Sequence, residues 1–468
     1  MASIAIVGSG FSGSILAAHL ARAGDHSTRI FLIDRTGRFG PGVAYGTTHA
    51  AHLLNVPAGR MSAFEDDGDH FLRWAKERDA NIQGGSFVSR ALYGQYISSV
   101  LEEAERNAPG RSRRVPEAAL AVRPSVEGVE IETPSGVISV DRAVLAIGNA
   151  PPGNPAIDDP SFFASPRYTR DPWSGDRLRE IPFDAPVLLI GTGLTMFDVV
   201  MELRARGHRG PIRALSRRGL LAQSHRSPSR PYHRDRPGDL DLWPSSARGM
   251  FRRVRRAVQE AAGKGVDWRE VITSLRADTP VLWRRLGERG QAQFLRHLRA
   301  YWDTHRHRSA PECWALVESL MKDGTLTIHA GRIVSMTDVG VGVDAVLKPR
   351  GEDETRSLRV AHVVNCTGPE IDPRRIDDPL IRDLLERGIG RADVLGIGLE
   401  STLEYRVVAL DGSAWRSLFL LGPMARPLNW ETTAVPELRT HARRLSERLL
   451  AAEPEIHVVR PGMATRGA

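Results

Sequence analysis

Ser3-Ile-Ala-Ile-Val-Gly-Ser-Gly-Phe-Ser-Gly13, a helix-type run over 14–23 and then Arg29-Ile-Phe-Leu-Ile-Asp34 decide how this chain is read. The apolar run Ile4 to Val7 reads as a buried strand. Gly8, Gly10 and Gly13 follow it at G-x-G-x-x-G spacing, just before the helix opens. Ile30 to Ile33 is a second strand, and Asp34 at its end stands about 20 residues beyond the last glycine, where an acid that accepts from a ribose belongs. Strand, turn, helix, strand and acid in that order predict a dinucleotide site. The glycines permit a tight turn, backbone approach to a pyrophosphate and close helix packing, while the helix N-terminus offers free N–H groups and a positive dipole end.

At 468 residues, 41% of them hydrophobic, the chain is long enough for two or more domains with packed cores. Its 64 basic and 56 acidic side chains leave a net charge of +8, and Lys76, Lys264, Lys322 and Lys348 are the only lysines. Such an arginine excess reads either as genome composition or as a preference for an anionic substrate or a phosphorylated cofactor. Cys313 and Cys366 make no disulfide framework and no C-x-x-C pair, which a flavoprotein that reduces disulfides would want beside its flavin. No basic leader precedes the first strand and no apolar run reaches membrane-spanning length, so a cytoplasmic protein without a membrane partner is expected.

Downstream, 37–46 and 52–61 are dense in glycine and proline and carry His49, His52, Asn55 and Arg60, a composition suited to a loop laid against a ligand. Helices are expected over 70–78 and 89–108, a β-meander over 119–140, and a buried strand from Arg142 ending at Gly148. Pro151 to Pro155 then marks a crossing between domains.

The opening pattern restarts at Pro186-Val-Leu-Leu-Ile-Gly-Thr-Gly-Leu-Thr-Met196, with Met196 where the third glycine would stand, and its second strand ends in Ser216-Arg217-Arg218 with no acid. A hydroxyl and two guanidinium groups there suit a 2′-phosphate, which favours NADPH over NADH.

Residues 225–310 interrupt this unit with a Pro/Arg-rich stretch and helices near 250–261, 268–275 and 291–304, read as a cap on a substrate site or a subunit contact. The Arg252 to Arg256 run reads as a solvated helix face and not as a nucleic-acid site, and His305 and His307, two apart, as hydrogen-bonding groups and not metal ligands. A helix over 311–322, a strand over 326–329, a meander to Lys348 and a strand ending at Gly368 follow. The last segment holds a strand at Leu418 to Leu421, Gly422, and an arginine-rich helix to about Leu450. Thr432 or Thr433 is expected to cap that helix, with Pro436 and Glu437 in its first turn, and its positive end would suit the N1–C2=O edge of a flavin.

Taken together, these residues resemble the bacterial FAD/NAD(P)-binding flavoprotein family that contains the FAD-dependent urate hydroxylases. The resemblance is carried by the opening motif with Asp34, Gly40-Pro-Gly-Val-Ala-Tyr45, His52-Leu-Leu-Asn-Val-Pro-Ala58, Gly191-Thr-Gly-Leu-Thr195, Asn365-Cys-Thr-Gly-Pro369 and Trp430-Glu-Thr-Thr-Ala-Val-Pro-Glu-Leu-Arg439. It implies an α/β fold of two Rossmann-like dinucleotide-binding domains. The FAD domain would be split into 1–175 and 365–468 around an NAD(P)H domain, 176–364, that carries the helical insertion.

By the same resemblance Gly8, Gly10, Phe11, Ser12, Gly13, Asp34 and Arg35 would meet FAD in its ADP part. Tyr45, Asn55 and Val56 would lie by the isoalloxazine, Gly148 and Gly368 at the return points, and Gly422, Trp430, Glu431, Thr432 and Thr433 at the other edge. Gly191, Gly193, Thr195 and Arg217 would meet NADPH or NADH.

The implied activity is a monooxygenase: NAD(P)H reduces FAD, O2 adds to give a flavin C4a-hydroperoxide, and oxygen passes to a small electron-rich, anionic substrate, with urate the first candidate. Asn55, His52, Arg60 and His305 are the catalytic candidates, the histidines as bases and Arg60 or Arg306 for the anion. A reductase or oxidase without oxygen insertion, and an FAD-binding sensor that is no enzyme, compete with this reading.

Overall fold

The computed structural model describes residues 2–451 apart from 176, 227–231 and 233–238. Most of the Pro/Arg-rich stretch that opens the insertion therefore lies outside the described residues. Two mainly parallel sheets with helices packed on them give the chain a Rossmann-like α/β fold.

The first sheet runs in the order 406–408, 414–420, 142–145, 3–7, 29–33, 112–115. Its neighbours are parallel except for the edge strand Arg406–Val408. Ser3–Val7 sits inside it, and Ile4, Ala5 and Ile6 are wholly buried, as a parallel strand covered on both faces requires. On one face the helices Phe11–Ala23, Arg90–Asn107 and Val435–Leu450 bury Ile15, Leu16, Tyr93, Tyr96 and Leu445 against it. The other face is covered by a three-stranded antiparallel meander over 121–140 and the helix Pro379–Glu386. Arg111 reaches back from beside the edge strand to donate to the Leu20 and Ala21 carbonyls, satisfying acceptors that the end of the first helix leaves open.

The second sheet runs 356–360, 343–349, 326–338, 212–216, 187–190, 362–365, 168–169. Its parallel part is Leu326–Asp338 to Tyr168–Thr169, with an antiparallel pair of strands added at one edge. Tyr168–Thr169 pairs with His362–Asn365, so this sheet takes up chain before residue 175, and its strand 362–365 runs across the expected crossing at 364 and 365. Leu326–Asp338 is a single long strand where a break after 329 was expected, because its distal half pairs with Val343–Pro349.

In the insertion the helices are Ala247–Gly263, Trp268–Ser274, Thr279–Arg285, Gly287–Gln293 and Arg299–Arg306. The stretch 291–304 is not one helix: a π turn, Phe294–Leu298, joins two. Thr279–Arg285, absent from the sequence reading, forms because Trp283 is anchored from outside the insertion. It stacks on Trp430 at 4.6 Å, with Phe294 edge-on to the same ring, and its Nε1 donates to the Pro427 carbonyl. The insertion thus has two small cores, one of its own around Trp243, Ile272 and Leu282 and one shared with the returning C-terminal segment through Trp283 and Trp430.

Candidate functional site

At the opening turn, backbone packing demands glycine twice. Gly8 has φ +103°, and a Cβ on it would lie 2.3 Å from the Ala146 carbonyl oxygen; a Cβ on Gly13 would lie 1.9 Å from the Gly8 oxygen. Gly10 precedes the helix Phe11–Ala23 without any side-chain cap, so that helix keeps its first-turn donors for a ligand. Open space surrounds Gly148 and Gly368, both at positive φ, with no atom within 4 Å of where a Cβ would stand. Gly422 brings the returning chain to the same helix end, its Cβ position 3.3 Å from Ser12 Oγ. This donor-rich, side-chain-poor cradle fits a dinucleotide.

Asp34 is held in place before any ligand arrives. Its two oxygens accept from the backbone and hydroxyl groups of Ser9 and Thr36 at 2.7–2.9 Å. Burial raises its pKa, but the Thr36 and Ser9 bonds outweigh it and leave the carboxyl below its ordinary range. Arg35, expected at the cofactor, turns instead to Asp378 at 2.5 Å.

The second turn repeats the first only in part. Gly191 has φ +116° and a Cβ position 2.3 Å from the Cys366 carbonyl oxygen, matching Gly8. Met196 is fully buried, so the helix Leu194–Ala205 packs by side chain where Gly13 packs by backbone. Gly193 and Thr195 begin that helix, again without a side-chain cap. Ser216 Oγ is taken up by Thr192 and by the Gly219 N–H. Arg217 stays exposed, while Arg218 donates to the Tyr301 hydroxyl of the insertion at 3.2 Å.

Between the first unit and the insertion lies a cavity of about 200 Å³. It is walled by Tyr45 and the loop 55–61, by the start of the last helix at 433–435, and by His225, Thr273, Arg276 and the run 306–308 of the insertion. Tyr45, Asn55, Val56, Arg60 and Thr433 are thus brought together from far apart in the chain. The last helix is not capped as expected. Its N-cap is Ala434 with no side-chain bond, and Thr432 Oγ1 donates to the Gly422 carbonyl instead, so the helix end is left open to the cavity.

Four expected site residues lie elsewhere. His52 is buried, with Nε2 3.0 Å from Glu202 and Nδ1 2.7 Å from Thr47 Oγ1; beside the Arg90–Asp198 ion pair at 2.9 Å it ties the first unit to the helix 194–205. His305 packs against Trp268 with Nδ1 on the Tyr301 carbonyl. Trp430 belongs to the aromatic stack described above. Glu431 accepts from Trp302 Nε1 at 3.1 Å and pairs with Arg306 at 3.0 Å, a buried joint between insertion and C-terminal segment. Burial would raise the Glu431 pKa, and Arg306, with His307, Trp302 and Arg276, together more than offset it. Arg306 lies 3.8 Å from Glu437 as well, and Arg276 pairs with Glu437 too. Arg306, expected to hold an anion, therefore has its charge already answered.

The sequence reading missed His225 and Arg308. His225 Nε2 donates to the Asn55 carbonyl at 3.0 Å; burial, then Arg308, pushes its pKa down to about 4, so it is neutral. Arg308 is 8% exposed and donates to Thr273 Oγ1 at 3.0 Å. Burial, then the neighbouring Arg306 and Arg269, pull its pKa to about 10. The only hint in sequence is that His225 opens the insertion and Arg308 closes it. Both cysteines are buried and free, and burial pushes the Cys313 thiol up to about 12. Among the described residues there is no cluster of three or more His, Cys, Asp or Glu that could hold a metal, and no helix long and apolar enough to cross a membrane.

A family model described as FAD-NAD(P)-binding matches residues 5–150. No curated protein matches the sequence. Among solved structures, L-lysine 6-monooxygenase from Pseudomonas syringae aligns with a TM-score of 0.64 at 17% identity, over 96% of this chain and 98% of that one. The ornithine N-hydroxylase of Kutzneria sp. 744 aligns at 0.62 and 14% over the same shares. Thioredoxin reductase of T. acidophilum aligns at 0.53 and 10%, again over 96% and 98%. At these identities the likeness is one of fold, and it covers both sheets: the chain has the two-unit α/β architecture of these oxidoreductases, and its first unit matches the FAD-NAD(P)-binding model.

Proposed function

We propose that the protein is an FAD-dependent monooxygenase that draws electrons from NADPH and hydroxylates a small electron-rich substrate, with urate the first to test. The observation that carries this is the cavity. It lies between the loop 55–61 and the uncapped end of the helix Val435–Leu450, and the insertion walls it off from the other side.

FAD in the cradle would accept hydride from NADPH and activate O2. The chain's own residues do the rest. The turn at Gly8, Gly10 and Gly13 with the helix end Phe11 and Ser12 receives the pyrophosphate, and Asp34, ionised and fixed by Ser9 and Thr36, receives the ribose. The open end of the last helix stabilises negative charge beside Thr433. Gly191, Gly193 and Thr195 receive the NADPH pyrophosphate, and Arg217 its 2′-phosphate. The Trp283, Phe294 and Trp430 stack seats the insertion so that water is kept from the cavity. Disulfide reduction, the activity named for the thioredoxin reductases of this fold, is not supported, because neither buried cysteine belongs to a C-x-x-C pair.

The test is to purify the protein, record its flavin spectrum, and follow NADPH and NADH oxidation with and without urate while measuring hydrogen peroxide. Urate-stimulated NADPH oxidation with little peroxide is expected. Equal oxidation without any organic substrate points to an oxidase, and a protein that takes up no FAD ends the flavoenzyme reading.

A further inference from the structure

The cavity contains a charge that no ion pair among the described residues answers, Glu270 acting on it less than the cations Arg306 and Arg269 do. Arg308 lines it, its Nε has no partner, and among the described residues no carboxylate lies within ion-pair distance of it. A buried guanidinium without an ion-pair partner is destabilising, and an anionic ligand would offset that. On the same wall Arg276 and Arg306 are matched by Glu431 and Glu437, so the open charge belongs to Arg308, with the exposed Arg60 across from it on the loop 55–61.

His225 offers the complementary chemistry. Because Nε2 donates to the Asn55 carbonyl, the ring proton is on that nitrogen and Nδ1 is a bare acceptor with no partner among the described residues. Phe87 covers the ring at 5.0 Å. The charged groups that act on it, Arg308, Arg60 and Arg269, are all cations, and with burial they keep it neutral. The backbone around it is fixed: the His225 N–H donates to the Ser309 carbonyl and Arg269 Nε to the Ser224 carbonyl.

We propose that Arg308 and His225 form the recognition wall of the cavity, Arg308 with Arg60 taking an anionic oxygen and His225 Nδ1 accepting from an N–H or O–H on the same molecule. The inference deepens the proposed function, on which it rests for why the cavity exists. It selects substrates that carry an anionic oxygen and a hydrogen-bond donor together; a neutral imide lacks the first and a plain carboxylate lacks the second. His225 acts here as a positioning residue.

The test uses the FAD-loaded protein and three probes of similar size: orotate (anion with N–H), uracil (N–H without charge) and benzoate (anion without N–H). Binding is read by calorimetry and by perturbation of the flavin spectrum. Orotate is expected to bind about tenfold or more tighter than either of the others, the size of one charged hydrogen bond. Arg308→Met should bring orotate to the uracil affinity and leave uracil unchanged, Arg308→Lys should recover part of the difference, and His225→Phe should weaken orotate but not benzoate. Three equal affinities, no binding by any probe, or orotate binding unchanged in Arg308→Met overturns the proposal. If the variants do not fold, the probe series on the unaltered protein decides alone. NADPH and O2 consumption measured in parallel keep the two ideas apart. Protein that binds in this order and consumes neither refutes the monooxygenase and leaves the recognition wall standing; turnover with no preference among probes does the reverse.

Discussion

Replacing Gly13 by alanine separates backbone packing from side-chain chemistry at the opening turn. The added Cβ would stand 1.9 Å from the Gly8 oxygen and 3.2 Å from Ile6 Cγ2, and contacts under 3.0 Å are essentially never met by real Cβ atoms. Helix and turn must therefore part by about 1 Å, with an overpacking cost of about 1–3 kcal/mol. The strand cannot give way, because Ile4 and Ile6 are wholly buried and Gly8 is itself pressed against Ala146. The displacement falls on the N-terminus of the helix Phe11–Ala23, where the proposed pyrophosphate sits, and FAD affinity should drop by about fivefold to a hundredfold. Met196→Ala is the matched control. It empties part of a buried side-chain site and costs about 2–5 kcal/mol of stability, but FAD content should not change. The assay is the flavin-to-protein absorbance ratio after gel filtration, followed by titration of the apoprotein with FAD. Gly13→Ala protein with full flavin and unchanged affinity would refute the reasoning.

Glu431→Gln should lower the melting temperature at neutral pH, since removing one partner of a buried pair costs about 3–5 kcal/mol, less here because Arg306 keeps Glu437. With its pKa held down in the fold, Glu431 stabilises above its unfolded value near 4.3 and loses that effect as pH falls, so the penalty should shrink in acid; an equal penalty at pH values of about 7 and 3.5 contradicts this. His362, buried with Nε2 on Thr169 Oγ1 and its pKa lowered to about 4 by burial and then Arg167, is neutral in the fold. Its contribution, up to about 3 kcal/mol, is complete above its unfolded value near 6.5 and is lost as pH falls toward 4. His362→Gln should flatten the melting-temperature profile across that window, and an unchanged slope would assign the pH dependence elsewhere. Arg217→Ala should raise the Michaelis constant for NADPH about tenfold or more and leave that for NADH almost unchanged; equal effects on both would remove the 2′-phosphate contact.

The two nucleotide turns and most elements around them were readable because local chemistry settles them. Glycine spacing after an apolar strand places 3–34 and 187–216, Ser89 caps the helix Arg90–Asn107 as a serine should, and Pro-Ser-Gly at 134–136 turns the meander. The cavity was readable on one wall only. Asn55, Arg60 and Thr433 lie in glycine-rich or turn-like stretches that advertise ligand loops, whereas His225 and Arg308 acquire their roles from groups far away in sequence, the Asn55 carbonyl for one and, for the other, Thr273 as a neutral partner with no ion pair among the described residues. His52 and His305 looked the more promising histidines for the opposite reason: nothing in the sequence shows Glu202 and Thr47 closing around the first or the Tyr301 carbonyl holding the second. Thr432 and Thr433 have the composition of a helix cap, but the close pass of Gly422 draws Thr432 away, and the helix begins bare.

The central claim is that oxygen from O2 ends in an organic product. It is tested most directly by turning over the FAD-loaded protein with NADPH and urate under isotopically heavy O2 and weighing the product by mass spectrometry. One heavy oxygen atom is expected in each hydroxylated product, with NADPH consumption that matches product formed. Recovery of all consumed O2 as hydrogen peroxide, with urate unchanged while NADPH is oxidised at the same rate in its absence, would contradict it.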